Sequence, residues 1–192
     1  MLFTSCGVFN PFKKNRDRLI PVQQKINEIK KTEMNEGSIA IDDDVIYVYT
    51  DNSYKLAQPA IFQRRKDNFV PPPRIWYYYS IPDSIVRQVK SRWYDAIYHP
   101  TDGTKAFDSK RLPKYKELFN DLTDRITQEI NLQPTEKIPE KETDQILRKY
   151  WETINKWEND KYLIELIYFY AIQNGKISDL FVELNIEYKN KQ

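Results

Sequence analysis

Between Lys141 and Gly175 the chain has no proline, and no glycine until its last position, and it carries the densest apolar material in the sequence. Ile146, Leu147, Tyr150, Trp151, Ile154 and Trp157 recur at spacings of three and four, which puts them on one face of a helix. From Tyr162 to Ile172 apolar residues fall on nearly every side except at Glu165, the pattern of a helix buried all round. Asn174-Gly175 closes the run, since glycine takes the left-handed conformation past a helix end without steric cost. The stretch reads either as one helix about 50 Å long or as two hinged at Asn159-Asp160. Either way the rest of the chain is expected to pack around it.

Two further amphipathic helices are expected beside it. Pro82-Asp83-Ser84 opens the first, 83–98, with Val86, Val89, Trp93 and Ile97 in line. Pro113 opens the second, whose face is Tyr115, Leu118, Phe119, Leu122, Ile126 and Ile130, the most regular helical period in the sequence. A thinner helix is expected over 21–36, stopped by Gly37. The stretch 38–50 reads as strand, turn, strand about Asp42-Asp43-Asp44, and 54–63 adds another strand. In 69–79, three prolines precede Arg74-Ile75 and four consecutive aromatics, Trp76 to Tyr79. An extended chain points these to alternate sides, so both faces of that strand must be covered. After Gly175, Ser178 caps a short turn holding Leu180, Phe181 and Leu184. The expected fold class is α+β, mostly helical: an amphipathic helix bundle with a small β-rich insertion and extended terminal arms. The expected layout is an N-terminal arm 1–20, one domain 21–185 with a β-rich part 38–79 and a helical core 83–174, and a C-terminal tail 186–192.

Scarce residue types exclude much chemistry. Four glycines in 192 residues leave no room for a glycine-rich phosphate loop or dinucleotide fingerprint. A single histidine, His99, and a single cysteine, Cys6, cannot build a four-ligand zinc site or a disulfide within the chain. Asp42, Asp43 and Asp44 are adjacent in sequence, and neighbouring side chains of a turn do not converge on one cation. No catalytic residue, metal ligand or cofactor is therefore assigned, and the chain is expected not to be an enzyme. No segment approaches 18 uninterrupted apolar residues, so no membrane-spanning helix is expected.

Charge is unevenly placed. Residues 13–31 hold seven bases and two acids, residues 61–92 again seven and two, and residues 129–187 seven bases and twelve acids. Opposite poles on one chain suit head-to-tail contact between identical copies. The residues expected at such contacts are Phe3, Phe9 and Phe12 of the apolar N-terminal arm, and Arg64, Arg65, Trp76, Tyr78 and Arg87 of the basic and aromatic region. Glu140, Glu142 and the tail residue Tyr188 complete the set. Arg64, Arg65 or Arg87 is expected to face Glu136, Glu140 or Glu142 of a neighbour. Other readings remain open. Arg64, Arg65 and Lys66 with the 76–79 aromatics suit stacking on nucleic-acid bases, and Asp42–Asp44 or the Glu/Asp pairs in 136–144 would suit a metal-dependent nuclease if acids converged from separate elements. Leu2-Phe3-Thr4-Ser5-Cys6-Gly7 is similar to the end of a surface-lipoprotein signal, although only five residues precede Cys6 and none is basic.

The Lys/Asn/Ile/Tyr-rich composition, the arms, the extended aromatic segment and the polar end Tyr188-Lys189-Asn190-Lys191-Gln192 together resemble tail-assembly proteins of short-tailed phages. The layout is most similar to the ring proteins of crAss-like phages of gut Bacteroides, which stack below the portal in the head-to-tail connector. The resemblance spans the chain loosely and rests on no fixed motif. It implies a helical adaptor, identical subunits in a cyclic ring of twelve, and contacts to the portal and to adjacent ring and tail proteins. DNA would be passing cargo only, no membrane would be involved, and the protein would reside in the virion after assembly in the host cytoplasm.

Overall fold

The computed structural model describes residues 18–41, 56–64, 72–94, 109–145 and 148–189. Its centre is an eight-stranded antiparallel sheet in the order β1-β2-β3-β4-β8-β7-β6-β5. The strands are β1 (Ile39–Ile41), β2 (Ala60–Gln63), β3 (Arg74–Tyr79), β4 (Val86–Tyr94), β5 (Glu136–Gln145), β6 (Arg148–Glu158), β7 (Tyr162–Gln173) and β8 (Lys176–Tyr188). Two α-helices, α1 (Ile26–Asn35) and α2 (Leu112–Ile130), lie among the described residues. The expected mostly helical bundle is therefore overturned: the fold is a two-layer arrangement built on strands.

The long helix expected over 141–175 is instead the second half of β5, with β6 and β7. Its apolar residues lie on both faces of strands. In β6, Trp151 and Trp157 share one face, while Tyr150 and Ile154 share the other. Apolar residues at both parities produce spacings of three and four that imitate a helical stripe. In β7, Ile164, Leu166 and Tyr168 face one way and Leu163, Ile167 and Phe169 the other, which reads in sequence as apolar all round. Asn174-Gly175 is not a helix end but the two-residue loop of the β7–β8 hairpin. Both residues have positive φ, 52° and 72°, as a type I′ loop requires. Asn159 turns the chain between β6 and β7 by accepting hydrogen bonds at Oδ1 from the backbone N–H of Lys161 and Tyr162, at 2.8 and 2.9 Å.

The helix expected over 83–98 is also absent from the described part, 83–94, where β4 runs. A register shift between Tyr78 and Tyr79 brings Val86 opposite Tyr79 and Gln88 opposite Tyr78. That irregularity puts Val86 and Val89 on one face despite their odd spacing, and with Trp93 they counterfeit a helical row. The segment after Gly175, expected as a short turn, is β8. Ile186 and Tyr188 lie buried within β8, so the residues expected to begin a tail are structural as far as Tyr188. Residues 18–20, expected to belong to an arm, are held by α2: Leu19 and Ile20 donate their N–H groups to Glu129 at 2.9 and 3.2 Å. Of the expected 38–50 hairpin, only β1 falls within the described residues.

Helix α2 follows its expectation closely, with Tyr115, Leu118, Phe119, Leu122 and Ile126 buried and Asn131 ending it in the left-handed conformation. It lies across β7 and β8, against Ile164, Leu166, Tyr168, Leu180, Val182 and Leu184. Polar links orient it. Asn155 donates from Nδ2 to Thr123 Oγ1 at 3.0 Å, and Trp157 donates from Nε1 to Thr127 Oγ1 at 3.4 Å. Helix α1 covers β1 and β2, with Ile26 and Ile29 meeting Phe62, Ile75, Tyr77, Val86 and Val89 in the same core. Both helices thus sit on one side of the sheet. Strand β3 is covered on both sides, as its aromatic run requires: Ile75 and Tyr77 join this core, and Trp76 and Tyr78 form a separate cluster with Ile61 on the reverse side.

Substituting Gly175→Ala forces a side chain into a positive-φ position and should cost about 1 kcal/mol. Urea unfolding should show the midpoint lowered with an unchanged slope. A wild-type midpoint would mean that the turn does not set the hairpin.

Candidate interaction surface

Strand alternation sorts every paired residue to one of two faces. The face away from the helices is built in rows that the register carries straight across the sheet. One row is Glu152, Phe169, Phe181 and Tyr94. The next is Ile138, Ile154, Ile167, Glu183, Arg92 and Arg74. A third runs from Glu136 through Lys156, Glu165, Asn185, Lys90, Trp76 and Ile61 to Ile41. Neither helix covers this face. Tyr150, Ile154, Leu163, Ile167, Phe169 and Phe181 are only half-buried on it, shielding one another.

Aromatic stacking organises the centre. Tyr150 and Phe169 lie 5.6 Å apart and Phe169 and Phe181 4.8 Å apart, both stacked. The Arg92 guanidinium then sits 4.6 Å from the Phe181 ring centre, and Arg74 sits 5.4 Å from Tyr94 and 6.0 Å from Trp76. Glu183, buried at 5% exposure, anchors the cations: Arg92 binds it through two nitrogens, Nε at 2.6 Å, and Lys90 Nζ lies 3.4 Å away. Asn185 Nδ2 also donates to it, at 3.1 Å.

The charges on this face are divided. Strands β3 and β4 present Arg74, Lys90 and Arg92 with no acid. Among the side chains described there, strands β5 to β8 present Glu136, Glu152, Glu158, Glu165, Asp179, Glu183 and Glu187 against Lys141 and Lys156. The sequence segments that carry opposite charge therefore meet on a single surface of the fold.

The residues expected at contacts are placed as follows. Phe3, Phe9, Phe12 and Arg65 lie outside the described residues, as do Cys6, Asp42–Asp44 and His99. Trp76 and Tyr78 are on the open side of the sheet but buried, at 8% and 3% exposure, so their rings are not presented for base stacking. Arg64 is bound to Glu33 within the chain and Arg87 to Asp83. Glu136 lies 3.6 Å from Lys156, Glu140 3.8 Å from Lys116, and Glu142 2.9 Å from Lys149. Tyr188 is buried on the helix side, donating its hydroxyl to Pro21 O at 2.7 Å. The structure brings Trp76 and Tyr78 together with Ile61, but it does not gather Arg64, Arg87, Glu140 and Glu142 into one site. Sequence reasoning missed Phe169, Phe181, Ile154 and Ile167, whose shared face appears only once their segments are strands.

Beneath the helix side lies a buried polar centre. Glu33 of α1, 2% exposed, accepts from Tyr77 OH at 2.5 Å, from Ser38 Oγ at 2.6 Å and from Arg64 Nη2 at 2.7 Å. Burial alone would raise the Glu33 carboxyl; the Arg64 charge and the three sets of donated hydrogen bonds outweigh it and hold the pKa below its ordinary value. Burial, with the Glu33 charge beside it, pushes the Tyr77 phenol well up. A cavity of about 90 Å³ adjoins this centre, lined also by Arg18, Thr32, Trp93 and Arg125. Among the described residues no three His, Cys, Asp or Glu side chains are grouped to hold a metal ion, and no helix is long and apolar enough to cross a membrane.

Compared with known proteins, the chain matches no protein family, no curated protein and no solved structure.

Glu33 reports the polar centre directly. Its folded-state pKa is depressed, so the stability it contributes is fully present above the unfolded carboxyl's 4.5 and is lost as pH falls through the lower folded value. Glu33→Gln should lower stability at pH 7 by roughly 3 kcal/mol, because it breaks a buried pair from one side. Denaturant titrations should show the deficit shrinking below pH 4.5. A deficit independent of pH would assign the effect to packing rather than to charge.

Proposed function

We propose that the protein acts by contact and not by catalysis, as a structural subunit of a phage head-to-tail connector that forms a ring and links the portal to further tail proteins. The observation that supports this reading is the sheet face that neither helix among the described residues covers. A contiguous surface of half-buried Tyr150, Ile154, Ile167, Phe169 and Phe181, bordered by charge, is the composition of a protein–protein contact rather than of a solvated sheet. Arg64 and Arg87 are engaged within the chain, as Lys90 and Arg92 are with Glu183, so the apolar residues of this face rather than the expected arginines carry the reading. Within this reading the subunit resides in the virion, neighbours are identical copies together with the portal and adjacent tail proteins, and DNA is passing cargo only.

Nucleic-acid binding is the rival reading. It would use the same Arg74, Lys90 and Arg92, yet the remainder of the face is acidic and Trp76 and Tyr78 are buried. Co-expression with the portal protein of the same genome, followed by purification and negative-stain microscopy, tests the proposal. The expected result is a ring of this chain seated on the portal. Separate elution of the two proteins, or steeply salt-dependent binding to DNA by the purified chain, would refute the connector role.

A further inference from the structure

We propose that the open sheet face is self-complementary, and that two copies pack through it about a two-fold axis as a helix–sheet–sheet–helix dimer. This stands without the connector reading and gives the face a different use, because a two-fold contact closes at two copies and leaves any ring contact to other surfaces. From the sequence, separated basic and acidic segments point to a head-to-tail contact between two unlike surfaces. The fold places both poles on one surface, with the cations on β3 and β4 and most acids on β5 to β8. A two-fold axis midway between the facing sheets, parallel to the strands and running between β4 and β8, exchanges the two halves. It sets Arg74 of each copy over the acidic half of the other, twice over, and no like-charged halves meet.

The same axis crosses the row of Phe169, Phe181 and Tyr94 between Phe181 and Tyr94, so these aromatic rings meet at the contact, with the Glu183–Arg92 pair in the next row. Facing sheets pack about 10 Å apart, a gap that interdigitating aromatic and β-branched side chains fill. Area is sufficient. The five strands β4 to β8, 9 to 13 residues long, alone cover about 24 Å by 30 Å. That footprint, about 700 Å², approaches the ~800 Å² per partner of a stable interface, without counting β2 and β3, whose Ile61, Trp76 and Tyr78 are already buried. A second copy is favoured over a nucleic acid because acids outnumber bases on the face as a whole, and over an unrelated protein because the face itself supplies the complementary charge.

Sedimentation equilibrium of the full chain alone, without a portal, reads the proposal directly. The expected mass is twice that of the chain. Phe169→Lys, on the half-buried face, should reduce it to the chain mass while leaving the far-ultraviolet circular dichroism unchanged. Charge reversal gives an independent arm. Arg74→Glu, and separately the pair Glu152→Lys with Glu187→Lys, should each weaken self-association at least tenfold. Mixing the two variants should restore a dimer, because each then offers the charge the other lacks. A wild-type chain that sediments as a monomer or as a larger ring overturns the proposal, as does a dimer indifferent to Phe169→Lys. A mixture that associates no better than its components also overturns it. Should Phe169→Lys fail to fold, the mixing experiment decides. Loss of the ring on the portal with the dimer intact would refute the connector reading alone.

Discussion

The register of β7 against β8 fixes everything else in this molecule. The two strands pair from Tyr162 opposite Tyr188 to Gln173 opposite Lys176 around a two-residue loop. A slip of one residue would carry Leu184 and Ile186 out of the core and bring Glu183 and Glu187 under α2, because side chains alternate strictly along a strand. Both positive-φ residues of the loop, Asn174 and Gly175, oppose such a slip. Strand β4 then takes its register from β8, and β3 from β4, so the position of Arg74 across the sheet descends from that one loop.

From this register follows the asymmetry between the two faces. On one side α1 and α2 bury a continuous core, from Ile29 and Phe62 to Trp157 and Leu166, and polar groups there find partners such as Glu33 with Tyr77 and Arg64. On the other side the described residues supply no helix, yet they place Phe169, Phe181, Ile154 and Ile167 in adjacent rows. A solvated face of an antiparallel sheet is ordinarily polar. In the proposed reading, the apolar residues there serve contact and the divided charge around them orients it. The edge strands carry different burdens. Strand β5 is rich in Glu and Lys, with Pro139 at a register shift, features that blunt strand addition at that edge.

The sequence was legible where one period dominated. Helix α2 has a single clean apolar stripe, and its boundaries and face follow from it. The aromatic strand 74–79 was also readable, because four consecutive large rings cannot be accommodated with one face in water. The segment 141–175 was not, because a strand apolar on both faces has no visible alternation and its spacings satisfy a helix equally well. Two local signals bore on the ambiguity. Asn174-Gly175 between β-branched and aromatic runs is a hairpin loop as readily as a helix end, and Asn159-Asp160 is a turn as readily as a hinge. Isoleucine and tyrosine in 162–172 also favour strands. For Val86, Val89 and Trp93 the obstacle was the register shift, which no period anticipates. The surface residues inherited these errors. Trp76 and Tyr78 were conspicuous in sequence but are packed, whereas Phe169 and Phe181 were assigned to helix or turn and their common face was hidden.

Hydroxyl-radical footprinting of side chains at low and high protein concentration addresses the central claim, that the bare sheet face is where this protein makes its contact. Phe169, Phe181 and Tyr150 should be oxidised in the dilute protein and protected in the concentrated one. Trp157, in the core, should stay protected in both, and exposed Met34 of α1 should stay reactive in both. Equal oxidation of Phe169 and Phe181 at the two concentrations, with protection appearing instead on α1 or α2, would place the contact on the helix side and contradict the account.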